Sequence, residues 1–400
     1  MLNCDDSGAG SLRAEVAAAT NGGTIDLSQL VCSTITLSSE IVVSQDSLRL
    51  LGPGADQLTI DGGSHSRIFN HTGSMLFEVD DLSIEHGYYR SDFRGGGCIS
   101  TNGTVGLVHS VVSHCVLYGT RGGGIVAANG LSLKWSEISD CHAYSITGQP
   151  TGGGAYAAGI FQAKYSTISN NTAYRPPLQF PLSIGGGVFA AGTVDIEYST
   201  ISGNRSGSYA GLYIGTGNQP DRITNSTISS NVADSDVGGI FTRTPLVLRN
   251  STVISNTTHE SSVGAGVRAE NVTLTLYSSI IAGNGGPDGE GDVDGIDPNA
   301  AIIGANNLIV SSTLPTPGGT IGDCPRTEPL ADNGGPTLTH ALKHDSPAID
   351  QGSNPASLVD DQRFAPRAAG LQADIGAVER QPGEADDRLL VDGFDGRCDG

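Results

Sequence analysis

The side chains with most chemistry to offer recur at one point of a repeating pattern. His86, His114, Asp140 and Asn170 each stand one residue before the end of a short alternating segment. A polar stretch follows each: Tyr88-Tyr89-Arg90 with Arg94, then Tyr118 with Arg121, then Tyr144, then Tyr174-Arg175, with Tyr209 further on. Tyrosine faces pack against sugar rings, and the arginine fork grips carboxylate or sulfate. Tyr88, Tyr89, Arg90, Arg94, Tyr174, Arg175 and Tyr209 are therefore candidates to hold a glycan. β-Elimination from a uronic acid needs its carboxylate neutralised, a base for the α-proton and an acid for the leaving oxygen. Arg121 or Arg90, His114 or His86, and Tyr118 or Tyr144 offer these three roles, with Asp140 beside the imidazoles. Decoration of long surface loops accounts for the same residues without any chemistry.

Other patterns offer less. His109, Trp135, Tyr165, Tyr198, Asn225, Asn250 and Tyr277 form a second column, with Lys134, Lys164, Glu197 and Arg249 beside it. Such a row holds a glycan, with Trp135 as its anchor, or simply stabilises a stack. Asp195 and Glu197 alternate on one strand and so face one side, as a glycosidase carboxylate pair does. The acidic stretch Asp288, Glu290, Asp292, Asp294, Asp297 offers hard oxygen ligands for calcium, with Asp288, Asp292 and Asp294 the candidate metal ligands. It lacks the spacing of a helix-loop-helix calcium site. No other cofactor is required. There is no Cys/His zinc spacing, no phosphate-cradling glycine loop and no nucleophile elbow.

The elements that must position these residues show themselves by repetition. Glycine triplets, or degenerate versions of them, start at Gly95, Gly122, Gly152, Gly185, Ala210, Gly238 and Gly264, at intervals of 27, 30, 33, 25, 28 and 26 residues. A fixed core with variable inserts at that period means a solenoid. The triplets mark a tight turn where side chains would block the approach of neighbouring chain. A second turn carries the column Gly87, Cys115, Cys141, Asn171, Asn204, Asn231, Asn256, Asn284. Stacked turns repeat at about 4.8 Å, so asparagines there can hydrogen-bond in a ladder. Cys115 and Cys141 occupy successive ladder positions and are expected to form a disulfide. Cys4 with Cys32 would staple the first turn, Cys324 with Cys398 would pin the tail, and Cys98 would be left as a small buried thiol. Residues 11–19 read as a short helix that covers the open end of the solenoid.

Composition narrows the class of partner. The formal net charge is −21, with only 21 Lys and Arg, which argues against nucleic acid. No apolar run approaches the length of a transmembrane helix. Seven cysteines suit an oxidising compartment, although no secretion signal is visible at Met1.

Several stretches carry a resemblance. Asp6-Ser7-Gly8-Ala9-Gly10-Ser11-Leu12-Arg13 resembles the start of bacterial surface proteins with a right-handed parallel β-helix. The Gly-Gly-Gly and Ser-Thr-Ile-Ser-x-Asn repeats resemble those of polymorphic outer-membrane proteins of the adhesin type. Residues 326–379 resemble the C-terminal module of choice-of-anchor surface proteins, and Val391-Asp392-Gly393-Phe394-Asp395 is similar to tails of exported proteobacterial proteins. The resemblance implies fold and export. It supplies no catalytic motif, because this fold hosts lyases, glycosidases, epimerases and plain adhesins alike.

The expectation is an all-β chain: a right-handed parallel β-helix, a pectate-lyase-like solenoid, with a short N-terminal helical cap. Its parts would be the cap at 1–26, the helix body at 27–310, a C-terminal capping or anchor-type module at 311–380 and a tail at 381–400. The expected role is a secreted or surface-displayed monomer that engages a polysaccharide or cell-surface glycan along the Tyr/Arg edge. It would act either as a polysaccharide lyase or as a non-catalytic adhesin.

Overall fold

A computed structural model describes residues 3–91, 95–175, 183–217, 220–259, 264–287 and 289–384. Contacts divide the chain into two compact units, Met1–Gly192 with Asn204–Gly207, and Thr193–Gly203 with Ser208–Gly400.

The first unit opens with a helix, Leu12–Ala18, which buries Leu12 and Val16. The Ser11 side chain caps it by accepting from the Ala14 amide, and the Gln45 side chain donates to the carbonyls of Val16 and Ala19 at its other end. The Cys4–Cys32 disulfide stands beside it, with Cα atoms 6.3 Å apart. Short parallel strands then wind through successive turns. One turn runs through Thr104–Val108 in a first sheet, Val111–Ser113 in a second, Val116–Tyr118 in a fourth and Ile125–Ala127 in a third. The fourth sheet begins only at Tyr88–Arg90; earlier turns pass directly from the second sheet to the third. Pairing is in register from turn to turn, so Val112 lies between Ile84 and Ile138, and all three are buried. Single hydrophobic residues flanked by polar ones suffice in the second sheet, because each of its three-residue strands offers one inward position, whereas those of the third sheet, such as Ile125–Ala127, offer two. The second unit repeats the pattern, for example through Asp221–Thr224, Thr227–Ser229, Val232–Ala233 and Ile240–Thr242.

The asparagine ladder is present in both units. The Asn171 side-chain amide donates to Asn204 Oδ1 at 3.0 Å in the first. In the second, Asn231 donates to Asn256 at 2.8 Å and Asn256 to Asn284 at 2.9 Å. Each of these donors also reaches a carbonyl of the preceding turn, such as Ile138 for Asn171. The glycines exist because of this ladder. Strand register aligns Gly124, Gly154 and Gly187 in the first unit, and Gly211, Gly239 and Gly266 in the second. A Cβ at Gly154 would lie 2.9 Å from the Asn171 side chain, and one at Gly266 2.7 Å from that of Asn284.

That geometry corrects the expected cysteine pairing. Cys98 occupies the same column as Gly124, so its side chain points straight at the ladder. It pairs with Cys115, Cα to Cα 5.5 Å, and Cys141 is a free, buried thiol whose pKa burial pushes up to about 12. Cys115 bonds Cys98, whereas the Cys141 thiol donates to the Ser139 carbonyl of its own turn. Cys324 is disulfide-bonded, while Cys398 lies outside the described residues.

The acidic stretch read for calcium has protein partners of its own. Asp292 stands in the glycine column one turn after Gly266, and its buried carboxylate ends the ladder. Oδ1 accepts from the Asn284 side-chain amide at 2.8 Å, and Oδ2 accepts from the amide and hydroxyl of Ser311. Asp294 is also buried, in an ion pair with Arg268 at 3.2 Å and a hydrogen bond from Thr313. Both oxygens of each carboxylate already have protein partners, and Asp288 lies outside the described residues.

Residues 337–377 lie along the outer face of the second sheet within the second unit. Gln362 bonds the side chains of Thr200 and Thr227, His340 that of Ser229, and the amide of Ala377 donates to Thr252. The carbonyls of Asp360 and Ser353 accept from Asn225 and Asn250.

Candidate functional site

The tyrosines fall on the fourth sheet of the first unit, and the pleat decides which of them face outward. Register aligns Arg90, Tyr118, Tyr144 and Tyr174 in one column, and Tyr89, Leu117, Ala143 and Ala173 in the next. The first column faces solvent: Tyr118 is 40% exposed and Tyr174 47%. Ring centroids are 4.6 Å apart for Tyr118–Tyr144 and 6.1 Å for Tyr144–Tyr174. Arg90 lies over the Tyr118 ring at 5.9 Å, and Tyr88 adds a ring 6.0 Å from Tyr118. Tyr89 belongs to the inward column, is half-buried, and is covered by the guanidinium of buried Arg67 at 3.9 Å.

The imidazoles lie at the corner between the second and fourth sheets. His86, His114, Asp140 and Asn170 all take left-handed backbone, with φ of 54°, 52°, 52° and 56°. That conformation turns the chain sharply and throws the side chain outward, while the next residue goes inward to the ladder. The His86 and His114 rings are 5.3 Å apart, both open to solvent. His86 Nδ1 lies 3.2 Å from Asp61 Oδ2, and His114 Nδ1 lies 3.1 Å from Ser113 Oγ. Glu85 completes a cluster with the two imidazoles in which one donor atom of each lies within 4.8 Å of the others. Asp80, Asp81 and His109 form a similar cluster, but Asp80 is committed to an ion pair with Arg49. Both sets could hold a metal ion.

Sequence reasoning passed over Asp61 and Glu85. They align with Ser113 in the outward column of the second sheet, but they precede the first glycine triplet, so no repeat marker puts them in phase. His142 aligns with Val116 and Thr172 on the fourth sheet. Loss of solvation by nearby protein holds its pKa below the usual histidine range; His114 pushes the same way, and Asp140 opposes.

Along the rung, Cys115, Val116 and Leu117 separate His114 from Tyr118, and among the described residues no ring contact joins the imidazole pair to the tyrosine row. Arg121 is drawn away over Tyr156 at 5.1 Å. Arg175 is half-buried with its Nε lacking a hydrogen-bond partner, and Arg94 lies outside the described residues. Tyr209 belongs to the second unit, stacked on Phe241 at 4.0 Å, and burial pushes its hydroxyl up to about 12. Trp135 is in the other aromatic row, 4.5 Å from Tyr165 and 6.3 Å from His109. In the second unit the corresponding corner is held by Asn225, Asn250 and Ser278, all left-handed; Tyr277, expected there, pairs with Arg249 one position earlier.

No protein family and no curated protein matches the chain. A solved structure does. The chain is similar in fold to a pectate lyase. The crystal structure of pectate lyase Pel9A aligns over 95% of this chain and 96% of that one, with a TM-score of 0.52 at 15% identity. At that identity the likeness carries the right-handed parallel β-helix and nothing of the site.

Proposed function

We propose that the chain binds a polysaccharide along the tyrosine row of its first unit, as an exported or surface-displayed protein. The observation that supports this reading is the solvent-facing column Arg90, Tyr118, Tyr144, Tyr174, held in register by parallel pairing. Aromatic edges and hydroxyls repeated at one-strand spacing suit a linear glycan, and Arg90 at the end of the row suits an acidic sugar. Binding without turnover is the better reading than β-elimination, because the base and acid candidates stand apart along the rung. Carbohydrate binding by an all-β helix of this kind is consistent with its likeness in fold to a pectate lyase.

The test is affinity electrophoresis of the full chain in gels containing alginate, pectate, glycosaminoglycans or neutral glucans. At least one acidic polysaccharide should retard it. A Tyr118→Ala/Tyr174→Ala variant should bind at least ~10-fold more weakly, since each aromatic contact contributes about 1 kcal/mol. Trp135→Ala should bind as the unaltered chain does. Unchanged retention of the tyrosine double variant would sink the proposal. Unsaturated uronate formation that is lost in His114→Ala would put the lyase in its place.

A further inference from the structure

The corner cluster has the donor set of a metal site that is not a calcium site. We propose that Glu85, His86 and His114 bind one first-row transition-metal dication, zinc being the probe of choice. The inference stands apart from the glycan reading, since it uses none of the tyrosine row.

The geometry follows from the stack. His86 and His114 hold the same left-handed corner in adjacent turns, so parallel pairing repeats their rings at close to one strand spacing, 5.3 Å between centroids. Glu85 is the last residue of its strand, paired with Ser113, and its carboxylate faces outward beside both rings. The three donor atoms lie within 4.8 Å of one another. Zinc–ligand bonds of about 2.0–2.1 Å in a tetrahedron put donors ~3.3 Å apart, so the side chains need to close by ~1.5 Å. All three are at least partly solvent-exposed, so a change of rotamer can supply that movement.

The surroundings also fit. A ligating imidazole usually gives its second nitrogen to a carboxylate or hydroxyl, which sets ring orientation and basicity. Asp61 does this for His86 and Ser113 for His114. Two imidazoles with one carboxylate favour zinc, copper or nickel over calcium, which prefers six or more oxygens. Among the described residues, no Lys or Arg ion pair occupies Glu85, His86 or His114. By contrast, Arg49 occupies Asp80 in the other cluster. Three protein ligands leave a fourth position open to water or to a ligand oxygen. No linear motif betrays the site, because the second imidazole comes from the following turn, 28 residues away.

The experiment is calorimetric titration of zinc into the untagged, chelator-stripped full chain. One equivalent should bind with micromolar or tighter affinity. His86→Ala and His114→Ala should each weaken it at least ~10-fold, Glu85→Gln should weaken it measurably, and His109→Ala should leave it unchanged. In the unaltered chain, zinc should protect His86 and His114 from diethyl pyrocarbonate, read by peptide mass. This second measurement does not depend on any variant folding. Wild-type affinity in a His86→Ala/His114→Ala chain, loss of the site in His109→Ala, or labelling of the two histidines unaffected by zinc would each overturn the proposal.

Discussion

Glu379 shows how far the fold can move a single group. Its carboxylate is buried and accepts from the amides of Asp374 and Ala369, with Arg367 and Asp374 nearby. Burial lifts its pKa from 4.5 to about 7, against the pull of those amides. The folded chain therefore holds this proton more tightly than the unfolded chain. The stability it contributes is fully present below about pH 4.5 and is lost as pH rises through about 7. Asp292 and Asp374 are shifted upward by the same cause and act in the same direction. Urea unfolding between pH 4.5 and 8 should show stability falling with pH, and Glu379→Gln should remove part of that slope. An unchanged slope in the variant would mean that other groups carry it. At this scale the sequence was a poor guide. Nothing local marks which carboxylates are buried.

The ladder and its glycine column set the limits at the scale of elements. Each turn presses one ladder side chain against one glycine, so both positions were legible as periodic residue types. The exceptions were not. Cys98 and Asp292 stand in the glycine column; Cys98 bonds the ladder residue of its own phase, where other turns have glycine, and Asp292 reaches back to Asn284, one turn off in phase. Replacing Cys98 by serine opens a disulfide that spans 17 residues and should cost about 2–4 kcal/mol. Cys141→Asn should stay within about 1 kcal/mol of the unaltered chain: it restores the ladder amide beside Asn171, opposite Gly124, which has no side chain. Chemical denaturation under non-reducing conditions ranks the two variants, and the opposite order would contradict this account of the ladder. The tyrosine row was half legible. Its spacing was visible, but the pleat decided that Tyr118, Tyr144 and Tyr174 face out while Tyr89 faces in.

For the whole molecule, the second sheet has two kinds of outer face. In the second unit, residues 337–377 cover it and tie into Thr200, Thr227, Ser229 and Thr252. Arg367 is wholly buried there, bonded to Asn225 and to the carbonyls of Gly376 and Ala377. In the first unit, the equivalent strands Val111–Ser113 and Glu137–Ser139 keep partly exposed residues such as Val111 and Glu137. Deleting residues 326–384 should therefore speed amide exchange in Thr200–Ser202, Thr227–Ser229 and Thr252–Ile254. Val111–Ser113 should exchange as before. Equal protection of the second-unit strands with and without the segment would show that the cover adds no stability there.

The sequence by itself determined the solenoid, the phase of its turns, the ladder and the inward column. A backbone environment repeated in every turn selects the same residue type at the same phase, and a period records that selection. The tertiary structure decided what joins positions of different phase: Cys98 to Cys115, Asp292 to Asn284, Glu85 to His114, and residues 337–377 to the second sheet. Each of these contacts depends on which turn, which side of the pleat or which face comes within a few ångströms, and the period alone carries none of that information.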